Sequence, residues 1–366
     1  MQVSEIISWI MVIFSILGAI DRIFGNRFGL GKEFERGIML LGTMALSMVG
    51  MIVISPLIAE LLRPVLVKMA EVLPIDPSIV PAILFANDMG GAPLAVELAV
   101  NEQIGYFNAL VVSSMMGATI SFTIPVALGM VKKEQHKEVL LGLLCGIVTI
   151  PLGCLVSGIV SGISIVPLLL NLLPLVLFSA VIAFGLMKFP NACVKIFSVF
   201  GVIIKILITI GLVLGIFTFL TDVQITEHLE TYEEGIMIVA NAAAVMTGAF
   251  PLVYIVSKLL KKPLALLGKK MGINETSATG LLSSLATSMT TFDMVKDMDK
   301  KGVVLNSAFA VSAAFTFAGH LAFTLAFKAE WLPSVMIGKL VAGVLSLVVA
   351  FFIYGRIYKN DATSRR

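Results

Sequence analysis

The chain has 366 residues, of which 58% are hydrophobic and only 13% charged, and its mean hydropathy is +1.02. That is more apolar surface than a soluble core of this size buries, so a water-soluble enzyme or binding domain is excluded and lipid is the implied solvent. The formal charge of +3 is small and patterned. Lys and Arg gather in short loops, which reports membrane topology and not a nucleic-acid partner.

A helix needs about 20 mostly apolar residues to cross the ~30 Å hydrocarbon layer. In chain order, such runs lie at 4–20, 37–62, 104–130, 139–163, 165–187, 196–220, 235–257, 303–327 and 333–355. No cationic stretch or convincing cleavage site accompanies the first run, which reads as a retained membrane helix. Two further stretches, 75–98 and 273–293, are apolar at both ends but interrupted. The interruptions are Asn87-Asp88-Met89-Gly90-Gly91-Ala92-Pro93 and Thr287-Ser288-Met289-Thr290-Thr291, and neither stretch is long enough for two crossing helices.

Cytoplasmic loops carry the positive excess. If both interrupted stretches turn back, 21 of the 26 Lys and Arg fall on one side and three on the other, with Lys205 and Lys339 inside spans. A crossing second stretch would put the five lysines of 258–270 and the acidic loop 221–234, which has no Lys or Arg, on the disfavoured sides. The expected architecture is therefore an all-α, polytopic helical membrane protein with about nine transmembrane helices and two re-entrant broken-helix hairpins. Its N-terminus lies outside and its C-terminus inside.

A shift of 198 positions sets Glu35, Gly37-Ile38-Met39, Ala45, Met48, Gly50, Leu61-Leu62, Leu66 and Ile75 on Glu233, Gly235-Ile236-Met237, Ala243, Met246, Gly248, Leu259-Leu260, Leu264 and Ile273. These are eleven identities without a gap. The same shift pairs Asn108 with Asn306 and Ser114 with Ser312, and a small gap brings Met89 onto Met289. The chain thus divides into a first repeat over 1–163, a linking helix over 164–190, a second, inverted repeat over 191–358 and a cytoplasmic tail over 359–366. Inverted repeats with discontinuous helices are the usual build of secondary transporters, whose site lies near the midplane between the repeats. Irregular backbone survives at that depth only where protein or a water-filled cavity satisfies it, so the two interruptions mark the candidate site.

Asp88 is the sharpest signal there, a carboxylate beside Asn87 and the turn residues Gly90 and Gly91 in an apolar stretch where an unpaired charge costs several kcal/mol. It either pairs a cation or caps the half-helix after the break, and the two roles are compatible. Thr287, Ser288, Thr290 and Thr291 bring hydroxyls to the second tip, suited to a hydroxyl-bearing substrate or an ammonium, although such residues also serve helix packing. Asn108 and Asn306 are expected to line the cavity on the strength of their symmetry. His320 is the sole histidine in a span, either a site residue or a side chain bonded to a neighbouring helix. Lys205 and Lys339 are expected to snorkel to the basic face, and Cys145, Cys154 and Cys193 to pack as small apolar residues.

Three runs are more specific: Asn87-Asp88-Met89-Gly90-Gly91, the segment 146–154 with Thr149, Pro151 and Cys154, and the segment 306–315, together with Gly338-Lys339-Leu340. They resemble the ethanolamine transporters of the bacterial ethanolamine utilisation system, over nearly the whole chain. The resemblance implies a permease of the cytoplasmic membrane that imports ethanolamine for a vitamin B12-dependent lyase. It implies no cofactor for the permease itself, a lipid bilayer as its surroundings, and no nucleic acid; a homo-oligomer is left open. Ethanolamine is a primary ammonium, charged at neutral pH, so Asp88 would pair the ammonium and the Thr287, Ser288, Thr290 and Thr291 hydroxyls would meet the alcohol. The chain departs from the family pattern at Gly319, where relatives carry an acidic residue, and at Thr287-Ser288, where they carry amides. A carrier of another small amine or of an amino acid, or a channel for small amines, are the alternatives. No P-loop, H-E-x-x-H or G-x-S-x-G motif supports an ATP-driven pump or an intramembrane hydrolase.

Overall fold

The computed structural model describes residues 3–73 and 75–363, so the end of the expected tail lies outside the described residues. The chain is helical throughout. Helices α1 (Val3–Ile23) and α2 (Leu30–Val72) lead into a first hairpin of α3 (Ile79–Leu84), a single 3-10 turn (Asn87–Met89) and α4 (Gly91–Leu98). Then comes α5 (Glu102–Tyr106), which continues as π-helix over Phe107–Gly117 and Thr119–Thr123 and ends as α6 (Ile124–Met130). After α7 (His136–Ile147) and α8 (Ile150–Val160), the linking helix α9 (Ile165–Lys188) reaches α10 (Pro190–Thr221) and α11 (Tyr232–Met271). A second hairpin, α12 (Glu275–Ala286) and α13 (Ser288–Met294), precedes α14 (Lys300–Ala313), α15 (Gly319–Lys328) and α16 (Leu332–Thr363).

Among the described residues, eight helical stretches are long and apolar enough to cross a bilayer. The outward faces carry Trp9, Ile13, Phe184, Ile203, Ile210 and Phe352 uncovered, the belt that lipid requires. The protein is an all-α polytopic membrane protein. One expected span is corrected: 303–327 is not continuous, because α14 stops at Ala313 and α15 starts at Gly319. Residues between them are irregular, with Phe315 in the left-handed region at φ 63. The sequence there is apolar and has no Gly or Pro before Gly319, so hydropathy reads through it. The backbone N-H groups of Phe315 and Phe317 leave the helix to donate to Ser284 O and Leu285 O of α12, each at 3.0 Å.

Both hairpins begin and end at the same level, because hydrogen bonds close their mouths. At the first, the Asp76 carboxylate accepts from Ser78 N and Ser78 Oγ at the entry and from Val100 N (3.1 Å) and Asn101 N (2.9 Å) at the exit. At the second, the Asp299 carboxylate accepts from Gly302 N at the exit and from Asn274 N (2.8 Å) and Ser277 Oγ (2.7 Å) at the entry. The 198-residue shift sets Asp76 on Asn274 and Asn101 on Asp299. Each mouth therefore holds one carboxylate and one amide, at exchanged positions. Each Asn caps the helix that follows it, Asn101 through Ile104 N and Asn274 through Ser277 N.

The long helices correspond in the same way. α2 and α11 pack on one another, and both carry prolines mid-helix, which bilayer-spanning helices tolerate when neighbours satisfy the freed carbonyls. Gly50 of α2 lets α10 approach so closely that a Cβ would lie 1.7 Å from Ile208 O, and its shift partner Gly248 of α11 admits α1, where a Cβ would lie 2.0 Å from Met11 O.

Two outcomes test this fold. Asp76→Ala removes a carboxylate that joins both ends of the first hairpin, and should cost about 2–3 kcal/mol, since hydrogen bonds to a charged group are the strong ones. Thermal unfolding of detergent-solubilised protein checks it, and Asp299→Ala should behave alike; melting unchanged in both would mean the mouths are closed by packing alone. Lys262 and Lys300 are both exposed. In a background lacking the native thiols, Lys262→Cys and Lys300→Cys should both be modified by a membrane-impermeant maleimide from the cytoplasmic face only, whereas modification from opposite faces contradicts a re-entrant second hairpin.

Candidate functional site

The break in the first hairpin is built by its neighbours. Phe85 leaves α3 in extended conformation, Asn87–Met89 make one turn, and Gly90 takes φ 95 before α4 begins. A side chain at Gly90 would strain that φ, and its Cβ would lie 1.7 Å from Met51 Cγ. The main chain freed by the break is satisfied from the π-wound helix: Ser113 Oγ donates to Phe85 O, and Ala86 N donates to Ser121 Oγ at 3.2 Å. Gly91 sits against Phe85 O and Ser113 Oγ. Gly90 and Gly91 thus shape the turn and its packing.

Asp88 is half-buried on this turn. It does not cap α4, whose cap position is Gly90 with no side-chain bond. Among the described residues its carboxylate meets no donor besides its own backbone N-H. Asn87 beside it is fully buried, and neither end of its amide has a partner among the described residues. His320, in the first turn of α15, is 2% exposed, lies against the Phe315 ring at 5.3 Å and an interplanar angle of 44°, and has no partner for Nδ1 among the described residues. α15, which carries His320 in its first turn, packs on the Asn87–Met89 turn.

Lys339 corrects the snorkelling expectation. Its side chain is 1% exposed, and its Nζ donates to Ser114 O at 2.9 Å. α16 turns this face into the protein: on either side of Lys339, Ser157 Oγ donates to Ser334 O and Thr149 Oγ1 to Ala342 O. The head group is enclosed by protein and does not reach the surface. No N···O contact within 4.0 Å joins Lys339 to Asp88; the two are brought together by the π-wound helix, whose Ser114 O holds the lysine while the adjacent Ser113 Oγ lies against Gly91, three residues past Asp88. Lys205, by contrast, is exposed on α10 as snorkelling requires.

The second tip is organised differently. Its break is a single extended residue, Thr287, whose hydroxyl caps α13 through Met289 N. Thr291 is buried and committed to Ser284 Oγ and Gly280 O, which leaves it no free donor. Ser288 is buried with its hydroxyl unpartnered among the described residues. Thr287 and Thr290 face a separate cleft of about 170 Å³ with Glu33, Arg36 and Tyr254. Asn108 and Asn306 lie at the hairpin mouths and away from the tips: Asn108 exchanges hydrogen bonds with Asn171 and donates to Ser78 Oγ, while Asn306 donates to Ser277 O and Gly302 O.

The structure therefore gathers Asn87, Asp88 and His320, adds Lys339, and leaves Asn108, Asn306 and the Thr287 and Thr290 hydroxyls elsewhere. Both tips are fastened to the irregular residues around Phe315, the second through Ser284 O and Leu285 O, the first through α15. Sequence reading missed Lys339 because six residues of depth suit a snorkelling side chain as well as an inward one. The sole hint was its place in the Gly338-Lys339-Leu340 run.

Residues 3–353 match the family model described as Ethanolamine utilisation protein, EutH. The chain is 46% identical to the probable ethanolamine permease EutH of Listeria monocytogenes serotype 1/2a, over 99% of this chain and 97% of that protein. It is 35% identical to the probable ethanolamine permease EutH of Escherichia coli K12, over 100% and 98% of the two chains. With the uncharacterized protein YxeR of Bacillus subtilis it shares 38% identity, over 96% and 95%. No solved structure matches it. With a family match over nearly its whole length, the chain belongs to the EutH family of ethanolamine utilisation proteins.

Proposed function

We propose that this protein is a permease of the cytoplasmic membrane that imports ethanolamine by alternating access, the substrate ammonium pairing with Asp88. The names of the relatives supply the substrate, and the helical spans supply the setting. The observation that carries the site is Asp88 itself: a half-buried carboxylate on a non-helical turn, capping nothing and bonded to no other residue described. Such a group at membrane depth is unfavourable unless a cation completes it. The buried and unpartnered Asn87 amide and His320 Nδ1 nearby offer hydrogen bonds suited to the hydroxyl end. On this reading the two halves form an inverted repeat, with α9 linking them, and the N-terminus faces outward while the C-terminus faces the cytoplasm. The correspondence of hairpin mouths and helix crossings under one shift supports it.

Purified protein in proteoliposomes should take up labelled ethanolamine with saturation; uptake that stays linear with concentration would indicate a channel. Asp88→Asn should lower that uptake by about 100-fold or more, the loss that follows when one partner of a buried charge pair is removed at about 3–5 kcal/mol. Asp88→Glu should be intermediate, because it keeps the charge but displaces it in a turn crowded by Gly90 and Met51. Unchanged apparent affinity in Asp88→Asn, at normal protein level, would remove Asp88 from the site.

A further inference from the structure

A buried ammonium and a half-buried carboxylate occupy one neighbourhood here without touching. Lys339 is held by a single hydrogen bond, to the carbonyl of Ser114, although an ammonium has three N-H donors. Ser113, the preceding residue, holds the break of the first hairpin through Phe85 O. One turn of the π-wound helix thus positions both the Asp88 loop and the lysine. Among the described residues Lys339 makes no ion pair, and Gly91, three residues past Asp88, lies against Ser113 Oγ, next to the Ser114 carbonyl that holds the lysine. A cation so fully removed from water is costly unless a counter-charge comes within reach or the group gives up its proton.

The chemistry of the two cations matters as well. The lysine head and the ethanolamine head are the same group, a primary alkyl ammonium, one tethered and one diffusing. Asp88 has one cation to neutralise it when the carrier is empty and another when it is loaded.

We infer that Lys339 is a tethered stand-in for the substrate: it neutralises Asp88 in the empty carrier and withdraws to the Ser114 carbonyl when an ammonium from solution takes its place. The inference rests on the ethanolamine reading above and adds a step to it. An empty carrier with Asp88 unpaired would have to carry a bare carboxylate through the membrane interior as it reorients. With Lys339 in reach, the empty site is neutral and the return step is open, so net uptake does not require a substrate molecule to travel back. The lysine is a positioning residue for the carboxylate and does not contact substrate.

Full-length protein reconstituted in proteoliposomes tests this with two assays on the same preparation. One measures net uptake of labelled ethanolamine into vesicles that contain none; the other measures exchange of labelled for unlabelled ethanolamine loaded inside. K339Q should lose at least about tenfold more of net uptake than of exchange, since the return step then exposes an unpaired charge, whereas in exchange the carrier is loaded in both directions. K339R, which keeps a cation, should retain more net uptake than K339Q. Equal loss of both modes in K339Q, or loss of neither, overturns the proposal. Should K339Q fail to accumulate, the double variant D88N/K339Q should accumulate normally because both charges leave together, and a double variant as unstable as K339Q overturns it too. Absence of both modes in the wild type would instead overturn the ethanolamine reading.

Discussion

Backbone that leaves a helix inside a bilayer has no water to turn to, and every unsatisfied N-H or C=O there costs several kcal/mol. Among the described residues such departures occur at Phe85, at Thr287 and around Phe315, and neighbouring elements supply partners to the first and the last. Ser113 and Ser121 serve the first, both from the π-wound stretch that follows the hairpin. The third takes its acceptors from α12, so that one irregular segment leans on another. π-Helical winding is rare and concentrates at functional sites. Here it places consecutive serines where one holds a loop and the other receives a lysine.

Charges follow the same logic at two depths. At the hairpin mouths, close to solvent, Asp76 and Asp299 accept several main-chain and hydroxyl donors each and act as structural clasps. At the first tip Asp88 has none of these donors, and its nearest counter-charge stays out of contact. Three aspartates of the same chemistry thus divide into two that are saturated and one that is not. It is the unsaturated one that has binding free energy left to give.

Much of this was legible in the sequence, and the reasons are particular. Long apolar runs reveal spans because lipid leaves little freedom in composition, and both hairpins were visible because Asn, Asp, Gly and Pro interrupt the first and a Thr/Ser cluster the second. The gap at Phe315 was not, since Ala, Phe and Thr read as helix and the break is imposed by hydrogen bonds to α12 instead of by local preference. Asn108 and Asn306 both lie at hairpin mouths, and a shared place under a sequence shift does not say whether a pair lines a tip or closes a mouth. Lys339 was invisible as a site residue because the direction a helix face points is a property of packing. The Ser157 and Thr149 hydroxyls that turn α16 inward lie nearly two hundred residues away in the chain.

The two hydrogen bonds from Phe315 and Phe317 to α12 also have a kinematic meaning. They tie the second hairpin to the start of α15, and α15 in turn rests on the Asn87–Met89 turn. A displacement of α12 cannot stay local, because its carbonyls would drag the segment that abuts Asp88 or else leave two N-H groups bare in hydrocarbon. The second hairpin and the root of α15 are tied by two main-chain bonds, and the first hairpin meets α15 by packing alone.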